Sequence, residues 1–181
     1  MKKIRVAING AGRIGRAFYK LAHERPDEIE VVAMNDLGDV ENIAYLLRHD
    51  SVYGRPNFVA ESNGVNLVID GREVKYFSEA DPKKLPWRNL EIDVVIESTG
   101  FFLSRELANG HLKAGAKKVL LSADAKDSSI KTIIMGVNEK VYDSKKDRII
   151  SNASCTSNCT APMVKVLSDS LGIETAFFTT T

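Results

Sequence analysis

Cysteine is scarce in this sequence: Cys155 and Cys159 are the two in 181 residues. Two thiols four residues apart build no disulfide framework, and no Cys/His set completes a zinc site. A dominant charge is also lacking. Twenty-five Lys and Arg against 24 Asp and Glu leave a formal net charge of +1. No global field therefore draws in nucleic acid or an acidic surface. No apolar run reaches the roughly 20 residues that cross a bilayer. Met1-Lys2-Lys3 runs straight into a strand pattern, without the longer apolar stretch and cleavage site of a signal peptide. These absences predict a cytoplasmic protein with no nucleic-acid or membrane partner and no metal. What remains is ordinary globular composition, 44% hydrophobic and 27% charged, at a length that suits one domain or one and a fraction.

The chain reads as alternating strands and helices. Ile4 to Asn9 is a short, mostly apolar run, as expected of a buried parallel strand. After a glycine-rich turn, Ile14, Ala17, Phe18, Leu21 and Ala22 recur at helical spacing, ending near Pro26. Glu30 to Asn35 is a second strand, and Val40 to Arg48 a second helix with Ile43, Leu46 and Leu47 on its apolar side. That alternation predicts a right-handed parallel unit. Asn63-Gly64 and Asp70-Gly71 then punctuate β-rich runs at Phe58-Val59, Val65 to Ile69 and Val74 to Phe77. Both dipeptides favour hairpin turns, so an antiparallel excursion is expected. The parallel rhythm resumes at Asp93 to Glu97. A helix capped by Ser104 and strands at Lys118 to Leu121, Thr132 to Met135 and Arg148 to Ile150 follow. A last helix is expected from the Cys155 region to Leu171, closed by Gly172, with a strand starting over Thr175 to Thr181. The fold class is α/β: a doubly wound, mostly parallel Rossmann-type sheet with an antiparallel hairpin excursion.

Gly10-Ala11-Gly12-Arg13-Ile14-Gly15 fits G-x-G-x-x-G. Alone that motif describes a tight turn as well as a nucleotide site. Here a strand precedes it, a helix follows it, and Asp36 ends the second strand, which is the dinucleotide-binding context. Gly10 allows the turn, Gly12 lets a pyrophosphate approach the backbone, and Gly15 lets helix and strand pack closely. The helix N-terminus offers free N–H groups to the phosphates. Asp36 would accept hydrogen bonds from the adenosine ribose diol and repel a 2′-phosphate, favouring NAD over NADP. Leu37 brings no compensating cation. The competing reading of Asp36 is a solvated carboxylate at a strand end.

Cys155 falls between a strand and a helix, at the helix's first turn. A helix N-terminus favours a thiolate. A thiolate attacks an aldehyde carbonyl to give a thiohemiacetal, and loss of hydride from that adduct to NAD leaves a thioester. Free cysteines are otherwise often buried and inert, which is the reading for Cys159, one turn deeper.

Ser151-Asn152-Ala153-Ser154-Cys155-Thr156-Ser157-Asn158-Cys159 resembles the active-site signature of phosphorylating glyceraldehyde-3-phosphate dehydrogenases. Ala7 to Arg16, Asn35-Asp36-Leu37, Glu97 to Phe102 and Gly115 to Val119 resemble other segments of that family. The resemblance runs along essentially the whole chain. It implies that Arg13 and Ile14 meet the pyrophosphate and nicotinamide, that Ser98, Thr99 and Gly100 line the adenosine side, and that Ser122 lies near the nicotinamide end. Cys155 would be the nucleophile, with Ser154 and Thr156 beside it at the substrate and phosphate site. The implied partners are a small phosphorylated aldehyde and inorganic phosphate, in a homotetramer for the full-length family. Residues 1–154 would be the NAD-binding domain and 155–181 the first helix and strand of a catalytic domain. In the family a catalytic histidine follows shortly after a Thr-Thr pair like the one near Thr181. The expectation is thus an N-terminal portion incomplete as a catalyst, with Ala161, Met163, Val164, Val166 and Leu167 leaving apolar surface exposed. His23, His49 and His111 do not match the catalytic position and read as solvated or capping residues. Three residues depart from the family pattern: Ala11 for Phe, Ala80 for a basic residue and Asp124 for Pro. The alternatives are a stand-alone NAD-binding or thiol-redox module, or a portion of an erythrose-4-phosphate dehydrogenase.

Overall fold

The computed structural model describes residues 2–180. Among these, nine strands and four α-helices follow one another as β1 (Ile4–Asn9), α1 (Arg13–His23), β2 (Ile29–Asn35), α2 (Val40–Arg48), β3 (Ala60–Ser62), β4 (Leu67–Ile69), β5 (Arg72–Phe77), β6 (Val94–Glu97), α3 (Arg105–Lys113), β7 (Lys118–Leu121), β8 (Lys131–Thr132), β9 (Ile149–Ser151) and α4 (Cys155–Leu171). The strands lie in the order β3-β4-β5-β2-β1-β6-β7-β9-β8. The fold is an α/β, Rossmann-like, mostly parallel sheet. β1 sits centrally, pairing in parallel with β2 on one side and β6 on the other. Chain direction across the sheet therefore reverses beside β1, where open α/β sheets hold their ligands.

Alternation within each strand sends side chains to two cores. Val6, Ile8, Met34 and Ile96 share one with Tyr19 of α1 and with Val40, Ile43, Ala44 and Leu47 of α2. Ala7, Ala33 and Val95 face the other with Trp87 and Ile92. Val119 and Leu121 meet Ala108 of α3 in a third cluster. Helix α1 buries Gly15, Tyr19 and Ala22, while Ile14 and Leu21, expected on its apolar face, are 56% and 62% exposed. The close approach at Gly15 sets the helix rotation. It turns the Gly15–Tyr19–Ala22 stripe inward.

The excursion is antiparallel over β3, β4 and β5. Asp70 and Gly71 form a two-residue turn with φ of 48° and 75°, both left-handed as the primed hairpin turns require. Asn63-Gly64 instead belongs to a four-residue loop, where the Asn63 side chain accepts the Val65 and Asn66 N–H groups. β5 then joins β2 in parallel and extends the main sheet.

The expected elements differ most at two places. The strand at Thr132 to Met135 shortens to Lys131–Thr132, because Asn138 takes over: its carboxamide oxygen accepts the Ile134 N–H and its nitrogen donates to the Thr132 carbonyl. Residues 175–180 form no strand, and Thr181 lies outside the described residues. Helix α4 ends at Leu171 with Gly172 at φ 75°, as the glycine predicts. No residue of α4 is buried, and Met163, Val164, Val166 and Leu167 are exposed as expected, Val166 by 64%, while Ala161 is half-buried.

Candidate nucleotide and thiol site

The parallel registers align five strand ends. Asn35 pairs with Asn9, Asn9 with Glu97, Glu97 with Leu121, and Leu121 with Ser151. The next residue of each strand donates its N–H to the neighbouring strand's end: Gly10 to Asn35, Ser98 to Asn9, Ser122 to Glu97 and Asn152 to Leu121. Asp36, Gly10, Ser98, Ser122 and Asn152 are thus stepped along one edge. From β2 to β9 that edge spans four strand spacings, about 19 Å.

A cleft of about 420 Å³ opens over the β2-β1-β6 part of this edge. Gly10, Gly12, Asp36, Ser98 and Thr99 line it, with Asn9, Asn35, Leu37, Glu79, Ala80, Phe101 and Phe102. Gly100 caps the turn at φ 79° without lining the cleft; Arg13, Ile14 and Gly15 begin α1 beside it, and Ser122 lies one strand further along.

The glycines meet different constraints. Gly10 holds φ 96°, and a Cβ there would lie 2.7 Å from the Thr99 nitrogen. A Cβ on Gly15 would overlap the Gly10 carbonyl oxygen and crowd Ile8 and Ser98. A Cβ on Gly12 would meet no protein atom within 4 Å, and Gly12 lines the cleft, so open space rather than packing lies above it. Gly12 caps α1 without any side-chain hydrogen bond, leaving first-turn N–H groups free for an anion. Asp36 is held by two backbone donors, Ala11 N–H at 2.6 Å and Gly38 N–H at 2.8 Å, one on each oxygen. A carboxylate has about four acceptor positions, so it retains capacity for a ribose diol. Tyr76 fixes this turn from below, its hydroxyl donating to the Gly38 carbonyl at 2.7 Å and the Asp36 carbonyl at 3.2 Å. Burial, and then the Asp36 and Asp39 carboxylates, push the Tyr76 hydroxyl above its ordinary pKa. These residues fit a dinucleotide.

Sequence reading missed the layer beneath the cleft. His111, expected on a solvated surface, is fully buried. Its Nε2 lies 2.9 Å from Glu97 Oε2, and the Trp87 indole N–H donates to its Nδ1 at 3.0 Å. Asn9 donates to the same Glu97 oxygen at 2.6 Å, and Asn35 donates to Asn9 at 2.7 Å. The signal available in sequence was that three apolar strands each end on a polar residue, Asn9, Asn35 and Glu97, one position before a motif residue.

Cys155 opens α4 at the β9 end of the same edge. The turn into it runs through Ala153 at φ 60°, a left-handed conformation that costs a non-glycine residue about 1 kcal/mol. Ser151 holds that turn, donating through Oγ to the Ala123 carbonyl and accepting the Ala153 N–H. Ser154 caps the helix by accepting the Ser157 N–H at 3.0 Å. The Cys155 thiol is exposed, 4.0 Å from the Thr156 hydroxyl. Cys159 is exposed too, contrary to the inert reading, because α4 packs none of its faces into the core. No histidine serves Cys155: His23 pairs with Asp70, His49 stacks on Tyr45, and His111 is committed to Glu97 and Trp87. No helix among the described residues is long and apolar enough to cross a membrane, and no group of three or more potential ligands there could hold a metal.

Residues 4–105 match the family model described as glyceraldehyde 3-phosphate dehydrogenase, NAD binding domain. The chain belongs to this family. Glyceraldehyde-3-phosphate dehydrogenases of Geobacillus stearothermophilus and Clostridium pasteurianum are 51% and 52% identical to it over 177 and 176 residues, covering 98% and 97% of the chain. Glyceraldehyde-3-phosphate dehydrogenase 1 of Bacillus subtilis is 49% identical over 177 residues. The chain spans about half the length of these curated relatives, 52% in each case. The cofactor of the family domain is NAD.

Proposed function

We propose that this chain is the NAD-binding and thiol-bearing portion of a glyceraldehyde-3-phosphate dehydrogenase, which oxidises the aldehyde to an acyl phosphate in glycolysis. The alignment of Asp36, the glycine turn and the approach to Cys155 along one sheet edge carries the reading. When bound, NAD supplies the hydride acceptor. Asp36 holds the adenosine ribose, with Ser98, Thr99 and Gly100 on the adenosine side. Gly10, Gly12, Gly15, Arg13 and Ile14 present backbone to the pyrophosphate, and Ser122 stands between them and the thiol. Cys155 is the nucleophile toward the aldehyde carbonyl, and Ser154 and Thr156 contact the substrate and the incoming phosphate. The boundary at 154/155 separates the nucleotide domain from the start of the catalytic one, since the sheet ends at Ser151 and α4 buries nothing against it. The complete enzyme is read as a cytoplasmic homotetramer.

The described residues hold no base beside Cys155, so the 181-residue chain by itself binds NAD and does not turn over the aldehyde. Titration calorimetry with NAD and NADP tests the binding half of this reading. Heat with NAD and a preference for it over NADP is expected. A folded chain that binds neither nucleotide overturns the reading.

A further inference from the structure

The buried chain Asn35–Asn9–Glu97–His111–Trp87 ties the cleft to both ends of its own wiring. At one end the Glu79 backbone fixes the Asn35 amide: Glu79 N–H donates to Asn35 Oδ1 at 2.9 Å, and Asn35 Nδ2 donates to the Glu79 carbonyl at 2.9 Å. Asn35 cannot flip without losing both. Its nitrogen then donates to Asn9 Oδ1, which leaves only the Asn9 nitrogen facing Glu97. At the other end the Trp87 indole can only donate. His111 Nδ1 must therefore accept, and the proton of the neutral ring sits on Nε2, pointing at Glu97. Both ends thus dictate donors toward Glu97 Oε2.

The remaining oxygen faces Thr99, which lines the cleft. Glu97 Oε1 accepts the Thr99 backbone N–H at 2.8 Å and the Thr99 hydroxyl. The hydroxyl in turn accepts the Phe101 N–H at 3.1 Å. A side chain with no exposed surface thereby sets the backbone of the Ser98–Gly100 turn. We propose that Glu97 is a positioning residue for the cofactor: a carboxylate surrounded by donors of fixed polarity, which holds the Thr99 turn in the shape that receives the adenosine half of NAD. This rests on the reading of that turn as the adenosine side. Glutamine cannot replace it, although it matches in shape. Its amide nitrogen would face either the Thr99 N–H or the Asn9 and His111 donors. None of those can reverse: a backbone N–H only donates, and Glu79 and Trp87 fix the polarity of the Asn9 and His111 donors. A donor against a donor leaves a buried polar group unpaired, and the turn shifts.

The test is Glu97→Gln, with nucleotide affinity measured on the folded chain well below its melting temperature. AMP and NAD affinities are expected to fall together by about tenfold, the value of one hydrogen bond to a charged group. Binding of nicotinamide mononucleotide stays within twofold of the parent chain. A residue that only supports the fold lowers Tm without separating the two halves of the cofactor. Amide exchange in the unsubstituted chain gives a second measurement that needs no variant. The Thr99 N–H is expected to be protected like a strand amide despite its place in a turn; exchange at an open-loop rate refutes the proposal. A Glu97→Gln chain that binds AMP as tightly as its parent refutes the positioning role alone. A parent chain that binds no AMP removes the nucleotide reading itself, and this proposal with it.

Discussion

Substituting alanine at Gly15 and at Gly12 separates packing from ligand space within one motif. In an ordinary helix, Gly→Ala gains about 1 kcal/mol of helix propensity. At Gly15 the new methyl overlaps the Gly10 carbonyl and crowds Ile8 and Ser98 within 3.0 Å. The obstructing atom is backbone, on a glycine locked at φ 96° between Ser98 and Thr99, so it cannot swing aside. Overpacking costs 1–3 kcal/mol where neighbours can relax, and the upper end applies to a fixed backbone. The net is a loss of about 2 kcal/mol, or about 4–8 °C in Tm for a domain of this size. NAD binding falls with it, because α1 must move off β1. At Gly12 the methyl meets nothing within 4 Å. The residue is the N-cap, in extended geometry with φ −68°, where alanine costs about 0.5 kcal/mol relative to glycine. Gly12→Ala should therefore melt within about 2 °C of the parent yet lose NAD affinity, because the methyl takes pyrophosphate space. Differential scanning calorimetry and NAD titration on the two variants give the four numbers. If Gly12→Ala loses stability while keeping its NAD affinity, the assignment of the open space to the cofactor is wrong.

Tyr76→Phe removes the hydroxyl that holds the Gly38 and Asp36 carbonyls; a loss of about 1 kcal/mol and a smaller NAD-over-NADP ratio are expected, and an unchanged ratio would show that Asp36 needs no support from below. Acid should destabilise the chain through carboxylates whose pKa values lie below their ordinary range: Asp50 through its hydrogen bond from Lys20, Asp127 through Ser129, and Asp147 through Lys131. A depressed folded pKa contributes stability above the unfolded value of about 3.9 and loses it as pH falls further. Tm should accordingly be flat near neutrality and drop below about pH 4, and Lys20→Met should shrink that drop; a Tm that rises with acid contradicts these pairings. Thiol titration of the native chain should count two reactive sulfurs, since Cys155 and Cys159 are both exposed; one slow thiol would mean that α4 packs against something in solution.

Features set by a few adjacent residues were legible in the sequence. The Asp70-Gly71 turn, the Ser104 cap and the Gly172 stop each depend on a local conformation that one residue type allows or one side chain satisfies. The glycine turn was legible as a motif, although the atoms that exclude a side chain at Gly10 belong to Ser98 and Thr99, far along the chain. The rotation of α1 was not legible. Ile14 and Leu21 fit a helical apolar stripe as well as Tyr19 and Ala22 do, and only the close contact at Gly15 decides between the two faces. Cys159 was misplaced for a related reason. Helical spacing says which residues share a face, but not whether anything covers it.

His111 shows the limit most clearly. Its helix carries Lys113 and Glu106, and its composition reads as surface. Its burial depends on Trp87, which comes from the segment before β6, and on Glu97, whose same oxygen is shared with Asn9, 88 residues from that glutamate. Neither spacing nor propensity links those positions. Only the register that sets Asn9 opposite Glu97 brings them together. The polar ends of β1, β2 and β6 nevertheless carry a physical demand that could have been read. A buried parallel strand that ends on Asn or Glu must find partners for that side chain, and three such ends in adjacent strands must find them among themselves or from the covering helix. Two asparagines and a glutamate supply more acceptors than fixed donors unless a further side chain donates to the carboxylate. His111, held as a donor by the only tryptophan in the sequence, fills that role. The residues beneath a nucleotide turn are thus constrained by hydrogen-bond polarity as tightly as the glycines above are constrained by space. That constraint acts between strands, which is why a motif along the chain records the glycines and not the layer that supports them.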